Sequence, residues 1–429
     1  MRMTLKHAHE LTPEQILALD KKYLLRKQIP PFIISGAKNS KVFDVYGKEY
    51  IDFMGGLYGT NSVGWNRKEI LDAMREQMKK LVFSHEKAPS ETSSLLAFKL
   101  SKLISKNIKC LRACTGSEAV DLALKAARLY SKKKTIIAAE YCFHGQTYGG
   151  LSLEKASKET ELSPLLPGIV KTRFPYPYRE GVSESATNAL NSIEKLLRNN
   201  SDIGSIILEP IQGTGAITPP DDYLRQVQKL CEQYSVLFIL DEVITGFGRT
   251  GKLFAHQTFG VKPDILILGK SLSSGYSPIA ATVLSDEVAE KFDPCANTST
   301  FGWNPLSATA AISNIEIITK EKLWKKAKKS NALVLKHGKK LVENPNCGEI
   351  RGKGLFLGIE LVKNKQSKEP CPELAQSVLV GCNNAGVHLA VSGRDKNVLI
   401  ITPPLVISEE EIKQGLDVIS NAIEKGVPK

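Results

Sequence analysis

The chain has 429 residues, 42% of them apolar and 24% charged, which excludes a wholly disordered polypeptide and leaves room for two or three domains with filled cores. Lys and Arg outnumber Asp and Glu by 58 to 45, so an anionic partner has to be weighed, but the positive charge is scattered. The densest runs, Lys132-Lys133-Lys134 and Lys320 to Lys329, have only Trp324 as an aromatic neighbour and read as solvated helix faces, not as a nucleic-acid surface.

In chain order, apolar residues recur at helical spacing over Ile16 to Lys27, Ile70 to Leu81 and Leu95 to Ile108. From Leu111 the texture changes. An Ala- and Leu-rich helix is predicted over Ser117 to Tyr130, followed by short apolar runs at Thr135 to Ala139, Ser205 to Leu208, Val236 to Leu240, Ile265 to Leu268 and Ala280 to Leu284, with a helix at Asp221 to Tyr234. Continuous apolar strands separated by helices indicate a mostly parallel sheet covered on both faces. After Ile318 come a lysine-rich helix, a strand at Leu355 to Leu361, a helix at Ala375 to Ala385, short strands near Val387 and Val398, and a closing helix from Ser408. The expected division is an N-terminal segment 1–56 joined to a small α+β C-terminal domain 319–429, with a large domain at 57–318 between them. No stretch reaches the roughly 18 apolar residues that span a bilayer, and the start of the chain lacks an apolar leader core. The eight cysteines include no Cys-x-x-Cys pair and read as reduced core thiols of a cytoplasmic protein with no structural metal.

The ends of the apolar runs carry the chemistry. Glu209, Asp241-Glu242 and Lys270 each follow such a run, and in open α/β sheets ligands bind beyond the carboxyl ends of the strands. Gly116-Ser117 opens a helix, where free backbone N–H groups and the dipole favour a phosphate. A partly desolvated lysine is a nucleophilic amine able to form a Schiff base, and a carboxylate can keep a pyridine nitrogen protonated. Each feature alone has a structural reading, as an N-cap or a solvated strand end. Together they are the three contacts pyridoxal phosphate requires.

The stretch Leu240 to Gly251, with Pro263-Asp264-Ile265 and Gly269-Lys270 behind it, resembles the signature of the class III, or ω-aminotransferase, family of fold-type I pyridoxal-phosphate enzymes. The likeness runs from about Val42 to the C-terminal helix. It implies a large domain with a mostly parallel sheet of seven-stranded type covered by helices, a smaller α+β domain, and a homodimer with shared active sites. By that resemblance Lys270 is the cofactor lysine, Asp241 the partner of the ring nitrogen, and Val243 and Phe143 the packing on the two ring faces. Gly116 and Ser117 match phosphate contacts, Thr300 a contact to the neighbouring subunit's phosphate, and Glu209 a cofactor-side glutamate near the substrate entrance. His144 reads as a supporting residue and Arg249 as structural.

The sequence also departs from the family pattern. Phe143 stands where tyrosine is more usual, and Ile400 where many members have a carboxylate-gripping arginine. Isoleucine cannot make that bidentate pair. Arg394, in Ser392-Gly393-Arg394-Asp395, falls near the place used by amine:pyruvate and ω-amino acid aminotransferases, whose N-terminal pocket segment Met54 to Tyr58 resembles. Tyr58, Arg394 and Trp303 are therefore the candidate substrate contacts. The implied activity is transfer of an amino group from an amine, ω-amino acid or amino acid to an oxo acid such as pyruvate by a ping-pong mechanism. Alternatives are a racemase or epimerase, a decarboxylase, an aminomutase, or a diaminopelargonate-type aminotransferase.

Overall fold

The computed structural model describes residues 11–25, 32–85, 87–105, 107–154 and 162–426. Its central element is a seven-stranded sheet. In spatial order the strands are Ile108–Ala113, Ala280–Ser285, Ile265–Leu268, Leu237–Asp241, Ile203–Leu208, Thr135–Ala139 and Ile169–Thr172. The strand Ala280–Ser285 is antiparallel to both of its neighbours, and the remaining pairs are parallel. Every residue of Ile203–Leu208, Leu237–Asp241 and Ile265–Leu268 is buried, as their uninterrupted apolar runs require. Each fully buried Ile or Leu there contributes about 1.5–3 kcal/mol relative to exposure.

Helices cover the sheet. Gly116–Ser131 is started by Thr115, whose hydroxyl accepts from Glu118 N at 3.2 Å, and stopped by Lys132 in the left-handed conformation. Its Ala119, Val120, Ala123, Ala126 and Ala127 face the sheet, the small side chains letting helix and strands approach. Tyr223–Tyr234 and Val182–Asn199 cover other strands, the second a helix that sequence periodicity missed.

The expected helix Leu95 to Ile108 needs correction. Helix ends at Leu103, and Ile108 opens an edge strand of the large sheet. That strand is only partly buried and carries Lys109 and Arg112, so it lacks the continuous apolar run of the interior strands. The N-terminal helix is Pro13–Tyr23, shorter than the expected span, whose last residues, 26 and 27, lie outside the described residues.

Two four-stranded sheets complete the structure. In one, Ile34–Lys38, Lys41–Asp44 and Glu49–Asp52 run antiparallel, and Val387–His388 adds in parallel to Glu49–Asp52. The other contains Cys347–Lys353, Phe356–Leu361, Val398–Ile401 and Ala390–Ser392. Ile400 is buried within it.

Arg249 ties these parts together. It is fully buried, and its guanidinium donates to the carbonyls of Leu355, Pro403, Gly59 and Asn61 and to Ser62 Oγ. Gly59 must be glycine for this approach, because its φ is +71° and a Cβ there would lie 2.9 Å from Arg249 Nε. Among the described residues no helix is long and apolar enough to cross a membrane.

Candidate active site

Three adjacent parallel strands deliver their C-terminal residues to one rim, and the side chains there form a single pocket. It is lined by Gly116, Ser117, Phe143, His144, Gly145, Glu209, Asp241, Val243 and Lys270, together with Ile211, Ile244 and Thr245. The structure thus brings Lys270, Asp241, Glu209, Val243, Phe143, Gly116 and Ser117 into one place, although they span more than a third of the chain.

Asp241 is 5% exposed. Its Oδ1 accepts from Val243 N at 2.9 Å, which turns the chain so that Val243 faces the pocket. Its Oδ2 receives His144 Nδ1 at 2.7 Å. Burial opposes charge on the His144 ring, but Cys142 and Asp241 outweigh it, and the imidazole is held well above the usual histidine pKa. The next residue, Glu242, points the other way. Its carboxylate accepts Ala255 N and His256 N, each at 2.6 Å, and so fixes the start of the short helix Ala255–Phe259.

Lys270 follows the strand Ile265–Leu268 and has φ +38°, a conformation that a non-glycine residue keeps only where its surroundings impose it. Burial pulls its ammonium below the usual lysine value, against the opposing fields of Asp241 and Glu209. The neutral amine is correspondingly easier to reach.

Glu209 accepts Phe143 N at 3.1 Å and Gly213 N at 2.8 Å, joining two pocket loops. Burial, with His144 opposing and Asp241 adding to it, pushes its carboxyl up to about 7. A carboxyl whose folded pKa exceeds its unfolded value stabilises the fold most below the unfolded value and loses that contribution as pH rises through the folded one. In the cofactor-free protein, Glu209→Gln should therefore gain stability relative to the parent between about pH 5 and 8. Denaturation midpoints across that range measure this, and a pH-independent difference would contradict the assignment.

The phosphate end is shaped by close packing. Ser117 Oγ accepts Gln146 N at 3.2 Å, and Gly145, at φ +109°, lies so near that a Cβ would sit 2.2 Å from the Ser117 hydroxyl. Gly116 and Ser117 are the first two residues of a 16-residue helix, where backbone N–H groups lack intrahelical acceptors.

The substrate candidates fare differently. Trp303 does not line this pocket. It is 3% exposed, its Nε1 donates to Ala280 O at 2.7 Å, and it borders a separate cleft with Phe98, Cys110 and Arg112. Its φ of +57° belongs to a turn that sends the indole inward, so its nearness to Thr300 in sequence was misleading. Thr300 is exposed and outside the pocket of its own chain. Tyr58 is half-buried in the loop Gly55–Gly59 and does not line the pocket of its own chain either. Arg394 does not line the pocket either; it sits in the turn between the strands Ala390–Ser392 and Val398–Ile401, with its Cζ 4.5 Å from the Tyr141 ring centroid and 4.9 Å from that of Tyr176.

A mostly parallel sheet that presents an amine, a carboxylate and a helix N-terminus at one rim defines a fold-type I pyridoxal-phosphate enzyme. The family model for class-III aminotransferases matches residues 24–423, and the chain belongs to that family. It is 32% identical to a taurine–pyruvate aminotransferase of Bilophila wadsworthia, over 96% of this chain and 98% of that protein. It is 33% identical to a leucine/methionine racemase of Thermococcus litoralis, over 92% and 90%. A solved (S)-enantioselective ω-transaminase from Thermomicrobium roseum superposes with a TM-score of 0.90 at 30% identity, covering 97% of this chain and 99% of that one.

The protein is accordingly a pyridoxal-phosphate-dependent aminotransferase. The residues present fit the cofactor. Besides the amine, the carboxylate and the helix start, His144 Nε2 is buried with no hydrogen-bond partner, and the Ser117–Gly145 contact leaves backbone rather than side chain facing the phosphate end.

Proposed function

We propose that the enzyme takes an amino group from an amine or ω-amino acid and passes it to a small oxo acid such as pyruvate, with Arg394 as the carboxylate reader. The observation that carries this reading is the state of Arg394. Its Nε is buried without a hydrogen-bond partner, and no carboxylate of the described residues forms an ion pair with it. Ile400, at the alternative family position, is buried in a sheet and has no group to offer an acid.

Bound pyridoxal phosphate supplies an electron sink for the carbon that loses its proton. Lys270 Nζ would hold the cofactor and, once displaced by the donor's amine, would take the proton from the amino-bearing carbon and deliver it on the cofactor side instead of to that same carbon. Asp241 would hold positive charge on the ring nitrogen, and His144 keeps that carboxylate oriented. Val243 and Phe143 would pack the two ring faces and Gly116 and Ser117 would bind the phosphate, while Glu209 tethers the Phe143 loop. We further propose that residues 57–318 form the cofactor domain and that 1–56 and 319–429 form the small one, supported by the pairing of Val387–His388 with Glu49–Asp52. Phe83 and Phe301 form an exposed aromatic pair with centroids 5.9 Å apart beside Thr300, which supports a homodimer in which Thr300 reaches the partner's phosphate site. Free cysteines throughout support a cytoplasmic location.

The test is a half-reaction screen of the cofactor-loaded enzyme with amines and ω-amino acids, following the bound cofactor's absorbance, repeated with Arg394→Ala. Donor alone should convert the cofactor stoichiometrically, and pyruvate should reverse the change. Arg394→Ala should raise the KM for pyruvate at least tenfold, since a charge-assisted bidentate pair contributes about 1.5–3 kcal/mol. Racemisation without cofactor conversion would overturn the transaminase reading.

A further inference from the structure

The surroundings of Arg394 are more specific than a surface arginine requires. Tyr141 and Tyr176 flank its guanidinium with ring centroids 4.5 and 4.9 Å away. Tyr141 belongs to the loop that carries Phe143 and His144 into the pocket, and its φ of +59° is one that an aromatic residue rarely adopts. Tyr176 is 6% exposed, and its hydroxyl donates to Glu360. The Arg394 turn also touches the loop after Glu209, because a Cβ on Gly215 would lie 3.2 Å from Gly393 Cα.

The acids whose fields reach Arg394 are Glu140 and Glu180; neither forms an ion pair with it, and Glu180 is paired with Arg173 at 3.2 Å. The acids around Tyr176 are committed to other cations. Glu360 pairs with both Arg179 and Arg351, and Glu349 with Arg351 at 2.7 Å. Arg179 and Arg351 also lie 5.8 and 5.2 Å from the Tyr176 centroid. Three guanidinium groups thus surround Tyr176 while two carboxylates compensate two of them. Of these three guanidinium groups, Arg394 is the one with no ion pair among the described residues. Ring faces attract a guanidinium through their quadrupole but take none of its in-plane N–H donors. A salt bridge would occupy those same donors.

We propose that Tyr141 and Tyr176 are positioning residues that hold Arg394 by its faces, keeping its edge available to a substrate carboxylate and setting how strongly the enzyme prefers acids over uncharged analogues. This rests on the reading of Arg394 as the carboxylate reader. Stacking is weak enough for Arg394 to adjust to acids of different length without breaking an ion pair. A buried salt bridge would resist such adjustment far more.

The cofactor-loaded enzyme is compared with Tyr141→Leu, Tyr141→Phe and Arg394→Ala. The readouts are pyruvate KM and kcat, and inhibition by propionate and by its uncharged analogue propionamide. Tyr141→Leu should raise the pyruvate KM and the propionate inhibition constant about tenfold, leave saturating kcat within twofold, and leave propionamide unaffected. Tyr141→Phe, which keeps the ring face and loses only the hydroxyl, should restore parental values. If Tyr141→Leu does not give folded protein, Tyr141→Gln removes the ring with a more polar side chain and carries the same expectation. If Arg394→Ala raises the pyruvate KM and the ring-removing variant does not, the positioning role is overturned while the carboxylate reader stands. If Arg394→Ala itself changes nothing, both fall. A fall in kcat and thermal midpoint without a selective loss of acids would assign Tyr141 a purely structural role and overturn the proposal.

Discussion

Lys270→Ala should retain its fold and lose turnover. Among the residues that line the pocket, Lys270 alone has a primary amine. The methyl group that replaces it can neither hold the cofactor covalently nor move a proton. Proton transfer by a positioned side chain is worth about 10²–10⁴ in rate, and losing the attachment adds to that. Stability should not suffer. The lost amine is held in a desolvated position that opposes its charge, so its removal relieves a cost. The check is borohydride reduction of the loaded enzymes followed by peptide mass analysis. The parent should carry a cofactor adduct on the Lys270 peptide and the variant none. An active variant would remove Lys270 from the chemistry.

The second large effect concerns stability. Arg249→Met deletes one buried guanidinium that serves four backbone carbonyls and a serine hydroxyl drawn from three separated stretches of chain. Methionine fills much of the volume but donates nothing. Each buried acceptor left without a donor costs about 1–3 kcal/mol, and partial relaxation toward other donors or water brings the expected loss to about 3–5 kcal/mol. Arg249→Lys should rescue little, because a single ammonium cannot direct donors to carbonyls on several sides. Burial lowers the Arg249 pKa to about 9, with Asp52 opposing, so the guanidinium is still charged at neutral pH. Chemical denaturation of parent and both variants at one pH decides the matter. A midpoint for Arg249→Met equal to the parent's would show that these bonds contribute nothing net.

Much of the site could be read from sequence because the strands beneath it are buried on both faces. Such strands are written as uninterrupted apolar runs, so their ends are visible, and Asp241 and Lys270 stand at or just beyond two of them. The edge strand Ile108–Ala113 and the short N-terminal strands are partly exposed and carry polar residues, so no run marks them. Contacts made across long separations left no local trace. Nothing near Tyr141 announces that Arg394 will stack on it, and nothing near Gly59 announces Arg249. His144 had a weak signal in its place after Phe143. Only the 2.7 Å contact to Asp241 shows what it does.

The pairing of Val387–His388 with Glu49–Asp52 also orders events in time. The N-terminal strands lack their last neighbour until nearly the whole chain has left the ribosome, and Arg249 cannot reach Pro403 before then. The large sheet needs no residue beyond Ser285 to complete its ladder, so it can assemble while the C-terminal part is still being made. Closing the long loop between the two ends is an entropic cost met late. The loop bearing Tyr58 lies between the two late-forming anchors, so it takes its final place after the sheet beneath the pocket has formed.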